Sequence, residues 1–199
     1  MKILAIQNRM GIGDTVIFLP FIKAISEKFN SPVSILVKEN SKAGQYLHQT
    51  NYIDKILILE RNKNSNGRHD GFLGAVNLIK DLKDKKFDKI FIFNSSLRFN
   101  LIAKFSRIPK IYQYPLFQKS KQHIIDVPKK FIRDKLDLVV NEDPEVQIDD
   151  SLISETNKKF QINKNEMNIL LGIGGSGSTK RIPANIFISV IEKISKIKR

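Results

Sequence analysis

Cysteine is absent from the 199 residues. Without it the chain has no disulfide, no thiolate metal site, no iron–sulfur cluster and no cysteine nucleophile, so stability has to come from packing. A reducing compartment suits such a chain. Long apolar runs are missing as well. The longest, residues 16–25, is interrupted by Pro20 and Lys23 and falls short of the roughly 20 residues that cross a bilayer. The opening run Met1-Lys2-Ile3-Leu4-Ala5-Ile6 is too short for the apolar core of a signal peptide, and polar Gln7-Asn8-Arg9 follows where small cleavage-site residues would stand. A cytoplasmic location is expected.

Acidic residues are the other scarcity, 20 against 34 Lys and Arg, for a formal charge of +14. Such an excess raises nucleic acid first, because cations that neutralise phosphates supply most non-specific affinity. The 26 Lys against 8 Arg are scattered among Ile and Asn, a bias that AT-rich coding produces without any ligand, so nucleic acid is not the expected partner. The charge suits phosphorylated substrates and a peripheral contact with an anionic membrane face, at about 1 kcal/mol per basic group near the surface. With 41% hydrophobic residues, the length allows one well-buried domain and part of a second.

Apolar patterning predicts the elements. Lys2-Ile3-Leu4-Ala5-Ile6 reads as a buried parallel strand entering a turn at Gly11 and Gly13. A helix follows, with Asp14 or Thr15 as its cap and Asn30-Ser31-Pro32 as its stop. Residues 33–37 read as a second strand, 43–49 as a short helix, 53–59 as a third strand, 72–85 as a helix, 89–93 as a fourth strand and 96–105 as a helix. The polar segment 60–71 reads as a loop that is disordered or mobile on the substrate side. Strands alternating with helices argue for a doubly wound α/β sheet, a Rossmann-like domain over 1–145. Acidic and turn-forming residues mark a linker over 146–166. The pattern restarts in 167–199 with a strand at 168–171, a glycine- and serine-rich turn and a helix from Pro183, the first βα unit of a second, incomplete domain.

Two glycine turns carry the chemistry. Gly11-Ile12-Gly13-Asp14-Thr15 lacks the third glycine of a dinucleotide fingerprint, and Glu39 alone stands near the end of the second strand, so a nicotinamide dinucleotide is not expected. Glycines let a ligand approach the backbone, and the helix start offers N–H groups and partial positive charge. Asp14 reads either as an N-cap or as a carboxylate at the carboxyl end of the first strand, placed to take a proton from a hydroxyl. The second turn, 174–183, holds Gly175, Ser176, Ser178, Thr179, Lys180 and Arg181 before a helix, the donors and cations that a diphosphate needs. Its Lys follows the Thr, so it is not a Walker loop, and a flexible surface linker is the plain alternative.

Together these turns resemble glycosyltransferase family 9, the heptosyltransferase-like enzymes of lipopolysaccharide core assembly. The run from Gly11 to Pro20, with Arg9 before it, is similar to that family's N-terminal signature, and Ser95-Ser96-Leu97-Arg98-Phe99-Asn100 to a segment in which Arg98 matches a family arginine. Gly172 to Pro183 is similar to the donor-phosphate loop, with Thr179 and Lys180 at matching positions. The resemblance implies a two-domain B-type glycosyltransferase fold, acceptor on the N-terminal domain and nucleotide-sugar donor on the C-terminal one. It implies inverting, metal-independent transfer of a heptose-like sugar to a lipopolysaccharide core or related glycan. Asp14 becomes the general base, Arg9, Gly11, Gly13 and Arg98 the acceptor contacts, and Gly175, Ser176, Ser178, Thr179 and Lys180 the donor-phosphate contacts. No cofactor and no metal are expected. No Asp-x-Asp motif occurs, and His48, His69 and His123 are scattered, each reading as a surface or packing residue. A reading from another class stays beside this one, a non-catalytic truncated module that binds a phosphorylated sugar or lipid.

Overall fold

The structure is a computed structural model describing residues 1–9, 11–61, 67–116, 123–163, 165–174 and 181–197. It divides into two compact units, Met1–Asp149 and Asp150–Arg199.

The first unit alternates strands and helices: β1 (Ile3–Ile6), α1 (Ile12–Phe29), β2 (Val33–Lys38), β3 (Ile53–Leu59), α2 (Gly71–Lys85), β4 (Lys89–Ile92), α3 (Leu97–Phe105), β5 (Lys110–Gln113) and α4 (Asp126–Leu136). The five strands form one parallel sheet in the order β3-β2-β1-β4-β5. Side chains of a strand alternate between faces, and β1 divides accordingly. Ile3 and Ala5 join Val33, Ile35, Val37 and Phe91 in a core with α1 and α4. Leu4 and Ile6 join Leu36, Ile90 and Ile92 in a second core with α2 and α3. Each fully buried Ile, Leu or Phe contributes about 1.5–3 kcal/mol of transfer free energy, so both helical layers are held on by the same short strands.

The first core is aromatic where α4 meets β4 and β5. Phe131 of α4 sits edge-on to Phe91, Phe93 and Tyr114, with centroids at 6.4, 5.5 and 5.0 Å, and Phe91 stacks on Tyr112 at 4.6 Å. Neither β5 nor α4 was expected from the sequence. The strand is four residues of mixed polarity at a sheet edge, and the helix shows its periodicity only through Phe131, Ile132 and Leu136 among charged neighbours.

Two expected details are corrected. Residues 43–49 do not form one helix: short 3-10 turns span Glu39–Ser41 and Ala43–Gln45, separated by Lys42 in the left-handed region. Helix α1 starts before Asp14 and Thr15, with Gly11 as its N-cap. Gly11 has φ 140°, a conformation that side-chain-bearing residues rarely adopt. At the far end Asn30 takes the left-handed conformation and Ser31 N–H bonds the Ser26 carbonyl at 3.0 Å, which ends the helix. The helix runs through Pro20, which has no N–H for the Val16 carbonyl.

The second unit carries helices α5 (Asp150–Lys159) and α6 (Ala184–Ile197). Residues 168–171, expected as a strand, form none. A parallel strand needs a neighbour for its ladder, and the described residues of this unit contain no strand to pair with. On α6, Ile186 and Val190 are exposed and Ile194 is half-buried.

One close approach fixes how α2 begins. A Cβ on Gly74 would lie 2.1 Å from the His69 carbonyl carbon. Gly74→Ala therefore forces backbone apart and should cost about 1–3 kcal/mol in urea unfolding. Gly44→Ala, where a Cβ meets no atom within 4 Å, should stay within about 0.5 kcal/mol.

Candidate functional site

A doubly wound sheet binds its ligand in the crevice outside the carboxyl ends of the strands, where the strand order reverses. Here the reversal falls between β1 and β4, since β2 lies on one side of β1 and β4 on the other. The loops leaving those two strands are 7–11 and 93–96. Asn94 Nδ2 reaches Asn8 Oδ1 across the crevice at 3.4 Å.

Gln7, which sequence reasoning did not single out, holds the first loop. It is 4% exposed. Its amide N–H bonds the Leu36 carbonyl at 3.0 Å, continuing the ladder beyond β1. Its side-chain Oε1 accepts from the Arg9 N–H at 2.9 Å, and its Nε2 donates to the Asp14 carbonyl at 3.1 Å. One side chain thus ties the strand end to the first helical turn. A glutamine after a buried strand carries no sequence signal beyond its burial, which only the fold reveals.

Arg9, Gly11, Gly13 and Asp14 therefore share one clamped turn. Arg9 and Gly13 are exposed and Asp14 is half-buried. Asp14 is the third helical residue, and its Oδ2 lies 3.6 Å from where a Cβ on Gly11 would stand. No side chain caps α1 at Gly11, so the amides of its first turn remain as donors, with the positive end of the helix dipole behind them. Thr15, buried, gives its hydroxyl to the Gly11 carbonyl at 3.1 Å. Among the described residues, no atom beyond the chain neighbours and the backbone of α1 lies within 4 Å of a Cβ position on Gly13. That opening, one residue before Asp14, is where another molecule's atoms can reach the backbone.

Tyr114, just after β5, has its hydroxyl buried without a hydrogen-bond partner among the described residues. Burial pushes its phenol far above the usual range, and the nearby Arg9 charge works against that rise.

Arg98 stands in the first turn of α3, beyond β4. Its guanidinium donates from Nη1 to the Gly71 carbonyl at 2.6 Å and from Nη2 to the His69 carbonyl at 2.8 Å. Burial lowers its pKa, as does the Arg61 charge, while Asp70 opposes. Two of its five donors thus brace the entry to α2. The loop between β4 and α3 is cross-tied as well: Gln113 Nε2 donates to the Asn94 and Ser96 carbonyls at 3.1 and 2.9 Å, and Gln113 Oε1 accepts from Asn100 Nδ2 at 2.7 Å.

His69, 3% exposed, accepts the Glu60 N–H at Nδ1 (3.0 Å) and lies 3.1 Å from Asp81 through Nε2. With Nδ1 accepting, Nε2 carries the proton and donates it. Arg68 grips the same carboxylate at 2.7 and 2.8 Å. Burial would raise the Asp81 carboxyl, but the bonds from Arg68 and His69 outweigh it and hold the group below the ordinary value. His69 is thus the packing residue its isolation in the sequence implied. Gly175, Ser176, Ser178, Thr179 and Lys180, expected as donor-phosphate contacts, lie outside the described residues, as do 62–66 of the polar segment.

No protein-family model and no curated protein matches the sequence. Among solved structures the chain is similar to a glycosyl transferase family 9 protein from Veillonella parvula, with TM-score 0.76 at 16% identity over 99% of this chain and 60% of that one. It is similar to the ADP-heptose lipopolysaccharide heptosyltransferase II of E. coli, with TM-score 0.68 at 14% identity over 98% and 62%. It is also similar to the E. coli heptosyltransferase WaaC bound to ADP, with TM-score 0.56 at 10% identity over 98% and 64%. The chain spans about three fifths of the length of these structures and shares their fold.

Gln7→Leu removes both side-chain bonds and takes from the Arg9 N–H the acceptor it has in Gln7 Oε1. The expected cost is about 1–3 kcal/mol, measured as a fall in the urea midpoint at unchanged slope.

Proposed function

We propose that the chain is the acceptor-side domain, with the beginning of the donor-side domain, of a family 9 glycosyltransferase. The enzyme moves a heptose-like sugar from a nucleotide-sugar donor to a lipopolysaccharide core or related surface glycan at the cytoplasmic face of a membrane. One observation carries the reading. An uncapped, glycine-opened helix start with a carboxylate in its first turn stands at the switch point of a sheet, in a fold shared with heptosyltransferase structures.

The chemistry follows from that placement. The Asp14 carboxylate takes the proton of an acceptor hydroxyl while the hydroxyl oxygen attacks the anomeric carbon. The bond from that carbon to the diphosphate oxygen breaks on the opposite face, so the configuration inverts. Gly175, Ser176, Ser178, Thr179 and Lys180, which precede α6 in the sequence, receive the charge that develops on the departing diphosphate. That phosphate-binding role for Lys180 and the absence of an Asp-x-Asp motif favour a reaction without metal. Arg9 and the free donors of Arg98 hold anionic groups of the acceptor. ADP in one similar structure and ADP-heptose in the name of another favour an adenine nucleotide.

Asp14→Asn keeps the shape of the side chain and removes the base. Sugar transfer should fall by about 10²–10⁴-fold with an unchanged urea midpoint, and wild-type turnover by a folded Asp14→Asn protein would overturn the assignment. Calorimetric titration with ADP-, GDP- and UDP-sugars tests the donor loop. Saturable binding of one donor is expected, weakened roughly tenfold or more by Lys180→Ala, the loss of a charge-assisted hydrogen bond. Acceptor binding without donor binding or turnover would instead identify a non-catalytic module.

A further inference from the structure

Helix α3 is apolar on two opposite faces. Phe99, Ile102 and Ala103 face the core. On the other side Leu97, Leu101 and Phe105 recur every four residues and are 43%, 42% and 65% exposed. The first turn of α2 adds Phe72 and Leu73, 82% and 76% exposed. The Arg98 bond to the Gly71 carbonyl sets the starts of the two helices side by side. A helix apolar on both faces is ordinarily buried on both, and a contiguous exposed apolar patch marks an interaction surface.

The charges around the patch indicate what it meets. Lys104 stands three residues after Leu101 and so shares its face, and Arg98, three residues before it, has its guanidinium tied to the Gly71 and His69 carbonyls. Residues 97–110 hold four cations, the other two being Arg107 and Lys110, and no acidic residue. On α2, Lys80 stands two turns after Leu73 on the same face with exposed Asp84 one turn beyond it, and the Asp81 carboxylate is taken up by Arg68 and His69. Lysine is depleted at the centre of protein–protein interfaces. Apolar side chains rimmed by Lys and Arg are the pattern of helices that lie in the plane of a membrane surface, where anionic headgroups attract the cations.

We propose that the α2–α3 face docks on an anionic lipid surface, with Phe72, Leu73, Leu97, Leu101 and Phe105 entering the headgroup layer. Both helices start at the carboxyl ends of β3 and β4, the sheet end that also carries Asp14. Docking there brings a lipid-anchored acceptor to the crevice, an inference that rests on the glycosyltransferase reading only for the identity of what the lipid carries.

The test is co-sedimentation of the protein with phosphatidylcholine vesicles, with and without phosphatidylglycerol. Binding to the anionic vesicles is expected, with a partition coefficient that falls roughly tenfold or more in Leu101→Ser/Phe105→Ser and severalfold in Lys104→Glu. These side chains are exposed, so the circular dichroism spectrum and urea midpoint should be retained. Equal vesicle binding by wild type and the double variant would overturn the proposal, leaving diffuse charge as the cause. So would absence of vesicle binding together with self-association that the double variant abolishes, which would assign the patch to a second copy of the chain. Transfer to a soluble acceptor and to a vesicle-embedded one provides the separate readout. Loss in the double variant of the embedded reaction alone supports docking. No transfer to either acceptor by wild type, with vesicle binding intact, would overturn the enzymatic reading and leave the docking surface standing.

Discussion

Burial of both faces of a short parallel sheet is the constraint on which the rest of the structure depends. Strand β1 is four residues long, paired on both edges and fully buried. Its alternating side chains belong to two separate cores, so neither helical layer can be lost without exposing the strand that holds the other. Parallel strands need long crossovers, and these send every β-to-α loop to one end of the sheet. The loops after β1 and β4 meet there because the strand order reverses between them. The crevice follows from topology, and the chemistry within it from the few residues that the loops contribute.

Those residues are held by polar clamps whose partners lie mostly in other segments. Gln7 joins strand, loop and helix start. Gln113 and Asn100 brace the β4–α3 loop. Arg98 occupies carbonyls ahead of α2. Each is a case of buried or half-buried backbone groups finding donors and acceptors in side chains where the regular ladder ends. The result is a rigid rim in which Asp14 and the open space at Gly13 are presented together.

Much of the fold was legible in the sequence. Strands β1 to β4 and helices α1, α2 and α3 lie within a few residues of where apolar runs and turn residues placed them, because burial on two faces leaves a continuous apolar run and burial on one leaves a helical stripe. The edge strand β5 and helix α4 were not legible, since an edge position and a charged outer face dilute both signals. The strand expected at 168–171 failed for the opposite reason. Its residues are apolar enough, but a strand is a property of two segments. Gly11 and Asp14 do fall at a loop–helix junction, while the N-cap, expected at Asp14 or Thr15, lies three or four residues earlier, because the backbone freedom of Gly11 lets the helix begin before the side-chain caps suggest.

The sequence by itself determined the alternation of strand and helix, the excess of positive charge, and the glycine-opened turn with Asp14 inside it, all of which are set by residues near one another in the chain. Tertiary structure alone decided the strand order and hence the switch point, and the use of Gln7 as a clamp. It alone directed the Arg98 guanidinium to the carbonyls of His69 and Gly71, and turned Leu97, Leu101 and Phe105 outward. Each of these depends on which segments meet across dozens of residues, and local periodicity carries no record of such meetings.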